Sequence, residues 1–208
     1  MDGETEHLDV ARVQITTWGD LRTAAQNKEL VAPFGAVVID SGTKAEEHAV
    51  NHVIETVPHE KGRPISRLED YGWHKGYQHV YETFLLLLQD LDALVRAGKH
   101  VLITAHDCTA KVPHPEGEDF IQHQPRLQDL ASGRASIRRR VKEWATHLFF
   151  LGYDIAVDDG KATGSGSRAI YCSETPTHMA KSRTLSDSPP IVYKKGDPEL
   201  WHRLFGKE

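Results

Sequence analysis

The stretch "FGAVVIDSGT", residues 34–43, decides the fold. Small and β-branched apolar residues run from Ala36 to Ile39 and stop abruptly at Asp40, Ser41 and Gly42. A continuous apolar run of this kind is the signature of a strand covered on both faces. The carboxylate at its tip has two readings. It is either the cap of the helix that follows or a group held ready for a ligand at the carboxyl end of a sheet.

A second apolar strand, "HVLITAH" (100–106), also ends in polar residues. Between the two strands, Thr43-x-x-Glu46 has the form of a capping box opening a helix toward Thr56. Residues 58–72, rich in Pro, Gly and charge, read as a loop. Tyr77, Val80, Tyr81, Phe84, Leu85, Leu88, Leu91 and Val95 recur at helical spacing, and Gly98 is placed to end that helix. Toward the start, "ARVQI" (11–15) alternates as a short strand, and Thr17-x-x-Asp20 opens a helix to about Leu30. Beyond His106, residues 107–133 read as a long mobile loop. A helix over 136–147 follows, then two strands around the Gly-rich "GKATGSGS", the pattern of a hairpin with a flexible tip. "HMAKSR" is a last strand, and a weak helix lies near Leu200 to Phe205. The fold class is α/β, with a mostly parallel sheet and an antiparallel C-terminal hairpin. Asp40 and Thr104–His106 share the end where such sheets place ligands.

The composition narrows the function. With 208 residues the chain suits one well-cored domain, expected over 1–185, with 186–208 as a tail. The net charge of −5 means that any nucleic-acid contact has to come from a local patch. Two cysteines, Cys108 and Cys172, form no disulfide framework or zinc knuckle, so a reducing compartment is expected. The longest apolar run is too short to span a bilayer, and the acidic start is unlike a signal peptide. The expectation is a cytoplasmic protein without membrane contact.

Asp40 fits the Walker B role, in which a carboxylate holds the water shell of a Mg²⁺ on nucleotide phosphates. His106 fits a polar sensor of the γ-phosphate, or equally an ordinary strand-end residue. No G-x-x-x-x-G-K-[ST] occurs; "DGKATGSGS" lacks the first glycine and the hydroxyl, and lies between strands. Arg134, Arg138, Arg139, Arg140 and Lys142 put cations on the outer face of one helix, which suits a nucleic-acid backbone or simply water. Lys181 and Arg183, two apart, share one face of a strand, either to reach a phosphate or to blunt an edge. A metal-dependent phosphohydrolase or nuclease using Asp40, His106 and Asp107 is a further reading. However, the thirteen histidines show no H-x-H or H-E-x-x-H spacing.

The blocks "HLDVARVQITTWGDL", "VVIDS", "YGWHKGYQHVYETFLLLL", "HVLITAH", "PEGEDFIQHQPRL", "VKEWATHLFFLGYD" and "TPTHMAKSRT" together resemble phage-encoded RecA-like P-loop ATPases, several of them single-strand-annealing recombination proteins. The resemblance implies an ATP- and Mg²⁺-binding RecA-like core, with Asp40 as the Walker B aspartate, Ser41 beside it at the nucleotide, and His106 as sensor. It implies single-stranded DNA as a partner, contacted through the 107–133 region, and a homo-oligomeric ring or filament. In that assembly Lys181 and Arg183 would reach a neighbour's nucleotide. In the host cell of a phage this would happen in the cytoplasm. The family's Walker A segment precedes the "HLDV" block, and here only a few residues do. The resemblance therefore implies an N-terminally truncated core with apolar sheet surface exposed. It also implies a water-orienting carboxylate near the start, where Asp2 and Glu4 stand; Glu4 is assigned that role. The expectation is an ATPase-family chain without activity of its own; a non-catalytic DNA-binding or assembly subunit is the alternative of a different class.

Overall fold

The computed structural model describes residues 8–130, 134–158, 161–185 and 188–206, with the backbone alone for 155–158 and 161–166. Two compact units divide the chain, Met1–His106 with Arg126–Arg139, and Asp107–Pro125 with Arg140–Glu208.

The first unit is a helical layer beside one parallel strand pair. Helix α1 (Trp18–Gln26) starts at a complete capping box between Thr17 and Asp20. The helix stops at Asn27, short of Leu30, because the Asn27 side chain accepts from the Leu30 amide and caps α2 (Lys28–Val31). Strand β1 (Ala36–Ile39) leads into α3 (Gly42–Thr56). A 3₁₀ turn (Leu68–Tyr71) occupies the expected loop and precedes α4 (Lys75–Arg96). Val80, Phe84, Leu87, Leu88, Leu91 and Leu94 of α4 are buried with Trp18 and Leu21 of α1 and Ala45, Ala49 and Val53 of α3. The buried stripe is rotated slightly from the expected one, leaving Val95 exposed. A Schellman turn closes α4: Gly98 N donates to Val95 O, and Lys99 N donates to Leu94 O.

Strand β2 (His100–Ile103) pairs parallel with β1, residue for residue from Ala36↔His100 to Ile39↔Ile103. This is the one parallel sheet among the described strands. Val38 remains 55% exposed, so β1 is covered on one face where two were expected. "ARVQI" forms no strand.

In the second unit, residues expected as a mobile loop form an antiparallel hairpin, β3 (Asp107–Val112) and β4 (Phe120–Pro125). Its buried face is polar: Gln124 Nε2 donates to Gln122 Oε1 at 2.9 Å, and Gln122 Nε2 donates to Thr175 O at 2.7 Å. Helix α5 (Ile137–Trp144) carries the boundary between the units. Strand β5 (His147–Leu148) pairs antiparallel with β8 (Lys181–Ser182). The long strands β6 (Phe150–Asp158) and β7 (Lys161–Tyr171) are antiparallel, and β7 takes in the Gly-rich stretch expected as a tip. The expected tail supplies β9 (Ile191–Tyr193), paired with β7, and α6 (Leu200–Phe205). Leu204 of α6 is buried with Ile170 and Cys172.

Candidate functional site

The chain leaves β1 at Asp40 and β2 at Thr104, and the parallel register brings these two residues side by side. Thr104 Oγ1 donates to Asp40 Oδ1 at 2.5 Å. The backbone reinforces the pair: Thr104 N donates to Ile39 O at 3.0 Å and Gly42 N donates to Thr104 O at 2.7 Å. Gly42 permits this approach, because a Cβ there would lie 2.7 Å from Ile103 Cγ2. Ser41 is the N-cap of α3, its hydroxyl accepting from Lys44 N at 3.3 Å. The helix therefore has its cap without Asp40, whose carboxylate is turned to the strand end.

Thr43 and Glu46, expected as a capping box, have other partners. Thr43 Oγ1 accepts from His106 N at 3.1 Å and donates to Arg126 O at 3.2 Å. Glu46 accepts from Gln128 N at 2.7 Å, and burial pushes its carboxyl above the usual range. Thr43 and Glu46 of α3 thus anchor the segment that leaves β2 and the segment at Arg126–Gln128. Arg126 is the residue that sequence reasoning missed. Its N–H donates to His106 O at 2.8 Å, and its guanidinium lies 3.2 Å from His106 Nδ1. A guanidinium only donates, so an imidazole that accepts from it at Nδ1 has Nε2 left to donate. The sole sequence signal was the "QPRL" block.

Asp40, Ser41 and His106 are therefore brought together, with Thr104, Thr43 and Arg126 as their supports. Glu4 and Asp2 lie outside the described residues. The remaining expected residues belong to separate local arrangements. Arg138 and Arg139 both face Asp129, at 3.5 and 3.3 Å. Arg140 lies 3.6 Å from Glu143, Lys142 lies 2.6 Å from Glu174, and Arg134 is exposed. Four of the five cations of the basic helix thus have carboxylate neighbours. Lys181 Nζ donates to the carbonyls of Lys142, Glu143 and Ala145 at 2.7, 3.1 and 2.8 Å, closing the C-terminus of α5. Burial there holds its ammonium below the usual range, with Arg183 and Lys142 adding like charge. Arg183 is exposed, 3.4 Å from Glu143 O. Asp107 Oδ2 pairs with His123 Nδ1 at 2.6 Å.

The chemistry of this strand end suits a hydrated cation. Thr104 fixes one Asp40 oxygen and orients the other, and no group of three His, Cys, Asp or Glu among the described residues forms a direct metal cage. Mg²⁺ on nucleotide phosphates is commonly held in this way, through one or two carboxylates and several waters.

Asp40 and Thr104 lie outside the carboxyl ends of two parallel strands, the place where open α/β sheets bind their ligands. The family model described as an AAA domain matches residues 1–184, and the chain belongs to that family of AAA-type, P-loop NTPase-like domains. The family is one of nucleotide-binding, ATPase-like domains that generally bind ATP with Mg²⁺. No curated protein and no solved structure matches the chain. No helix among the described residues is long and apolar enough to cross a membrane.

Proposed function

We propose that the chain is a RecA-like nucleotide-responsive module of a phage-type recombination system, acting on single-stranded DNA as a homo-oligomer. The observation that carries this reading is the Asp40–Thr104 pair at the ends of β1 and β2, with His106 held beside it by Thr43 and Arg126. In this reading Asp40 holds the waters of a nucleotide-bound Mg²⁺, and Ser41 lies at the same edge. Bound Mg²⁺ supplies charge neutralisation at the phosphates. His106 offers its Nε2–H as a donor toward a phosphate oxygen. Arg183, exposed in the bend just past the short strand that Lys181 ties to α5, is the cation that would reach a neighbouring subunit. The order of the sequence blocks supports the recombination assignment, and the AAA-domain match supports the nucleotide-binding part of it.

The test is equilibrium binding of a fluorescent ATP analogue, with Mg²⁺ and with chelator, to the full chain and to Asp40→Asn. Binding that requires Mg²⁺ and weakens about tenfold or more in the variant is expected, since a charged partner contributes about 1.5–3 kcal/mol. Binding indifferent to both Mg²⁺ and Asp40 would overturn the assignment. Single-stranded DNA binding without any nucleotide effect would replace it with a non-catalytic DNA-binding subunit.

A further inference from the structure

We infer that the turn carrying Trp73 is a base-stacking platform for single-stranded nucleic acid, which deepens the single-strand part of the proposed function. Trp73 is 94% exposed and stacks on no other ring among the described residues. The turn is closed by Lys75 N donating to Gly72 O at 3.0 Å. Its two central residues, Trp73 and His74, have φ of 49° and 60°. These left-handed values suit Gly and Asn and cost stability in a bulky side chain. The chain nevertheless places its most exposed aromatic ring there.

The turn is gripped on both sides. Glu60 binds the Lys75 ammonium at 2.5 Å, and the Tyr77 hydroxyl donates to Glu69 at 2.5 Å. Behind them, Tyr71 donates to Val53 O and Val57 O at 2.9 and 2.6 Å. Gly76 lets the 3₁₀ turn seat against α4, because a Cβ there would lie 2.9 Å from Leu68 Cα. Trp73 therefore projects from a fixed base, which lowers the ordering cost of binding.

Charge selects the partner. The Glu60–Lys75 bond clips a second turn, closed by Gly62 N donating to His59 O at 2.8 Å, against the base of the first. That second turn presents Lys61, with Arg63 just beyond it, and neither forms an ion pair with a carboxylate among the described residues. The local carboxylates are committed: Glu60 to Lys75, Glu69 to Tyr77, Asp70 to Ser66 and Arg67. A flat ring on a turn clipped to one that carries such cations matches unstacked bases and the phosphates between them. Duplex DNA hides its base faces, and an apolar protein anchor is ordinarily rimmed by fewer lysines.

The test measures anisotropy of a labelled oligothymidylate on the full chain without nucleotide, so that failure of nucleotide binding leaves the result readable. Trp73→Ala is expected to weaken binding about fivefold or more, and Trp73→Phe to retain most of it. Lys61→Glu with Arg63→Glu is expected to lower the slope of log affinity against log salt by about 0.7 for each phosphate no longer neutralised. Unchanged binding in Trp73→Ala, with wild-type binding intact, overturns the platform alone. No wild-type binding overturns it together with the DNA assignment. A change in sedimentation of Trp73→Ala with DNA affinity unchanged would make the turn an interface between copies and overturn it equally.

Discussion

Thr104 Oγ1 and Asp40 Oδ1, 64 residues apart in sequence, meet at 2.5 Å because two four-residue strands pair without a bulge. The donor is a hydroxyl that brings no charge of its own, so the bond orients the Asp40 side chain without adding a counter-ion. Thr104→Val keeps the shape and removes the donor. It is expected to weaken Mg²⁺-dependent nucleotide binding by about 1–2 kcal/mol and to leave the urea midpoint nearly unchanged. Titration with the fluorescent analogue reads the first effect and equilibrium unfolding the second.

Thr43 makes two bonds with one hydroxyl, and removing it leaves the His106 N–H and the Arg126 carbonyl without that partner. Thr43→Val should destabilise the fold by about 1–3 kcal/mol, and Thr43→Ser should recover most of the loss. Urea unfolding of the three proteins is the measurement. Equal stability of the Val variant and the wild type would contradict the staple.

Lys181 tests whether its ammonium is used within the chain. Lys181→Met removes the donor that serves three carbonyls at the C-terminus of α5 and is expected to cost about 1–3 kcal/mol. Arg183→Ala, with an exposed cation, should stay within about 0.5 kcal/mol of wild type in the same unfolding experiment. A large destabilisation in Arg183→Ala would reverse the assignment of roles.

Acid should loosen α1 through Asp20. Hydrogen bonds from the Thr16 and Thr17 side chains and amides hold its carboxyl at about 2, below the ordinary 3.8. A depressed value stabilises the folded state above the unfolded pKa, and that contribution is lost as pH falls. Asp20→Asn should therefore show a flatter melting-temperature profile between about pH 5 and about pH 2 than the wild type. Parallel profiles would show that the box contributes nothing to acid sensitivity.

Gly76 is where α4 meets the 3₁₀ turn. An added Cβ would lie 2.9 Å from both Leu68 Cα and Tyr71 Cδ2, with backbone that cannot move aside cheaply. Gly76→Ala should cost about 1–3 kcal/mol despite alanine's better helix propensity. A stabilised variant in urea would show that the packing there relaxes freely.

Helix α4, the Thr17 box and the shared end of the two strands were legible because each rests on local periodicity or a cap. The hairpin over 107–125 was not. Its inward face is built from Gln122 and Gln124, which satisfy each other and a distant carbonyl, so apolar alternation is absent. Thr43 and Glu46 misled because T-x-x-E has the same form wherever its oxygens point, and Ser41, two residues earlier, already held the cap. Arg126 was illegible since its role depends on where β4 returns the chain. "ARVQI" alternates correctly, but alternation does not supply a neighbouring strand.

Lys99 gives the Asp40–Thr104 pair a further property. Its ammonium holds the carbonyls of Ala32 and Phe34 at 2.9 and 2.6 Å, while its amide finishes the turn after α4. The two strands are thus tied together at their starts, and the pair at their ends is a counted distance from that knot. One residue inserted between Lys99 and Thr104 would slide β2 a full step and turn the Thr104 hydroxyl to the opposite face. The length of these two short segments is therefore as much a part of the site as the side chains at their tips, and insertions there should be tolerated far less than substitutions.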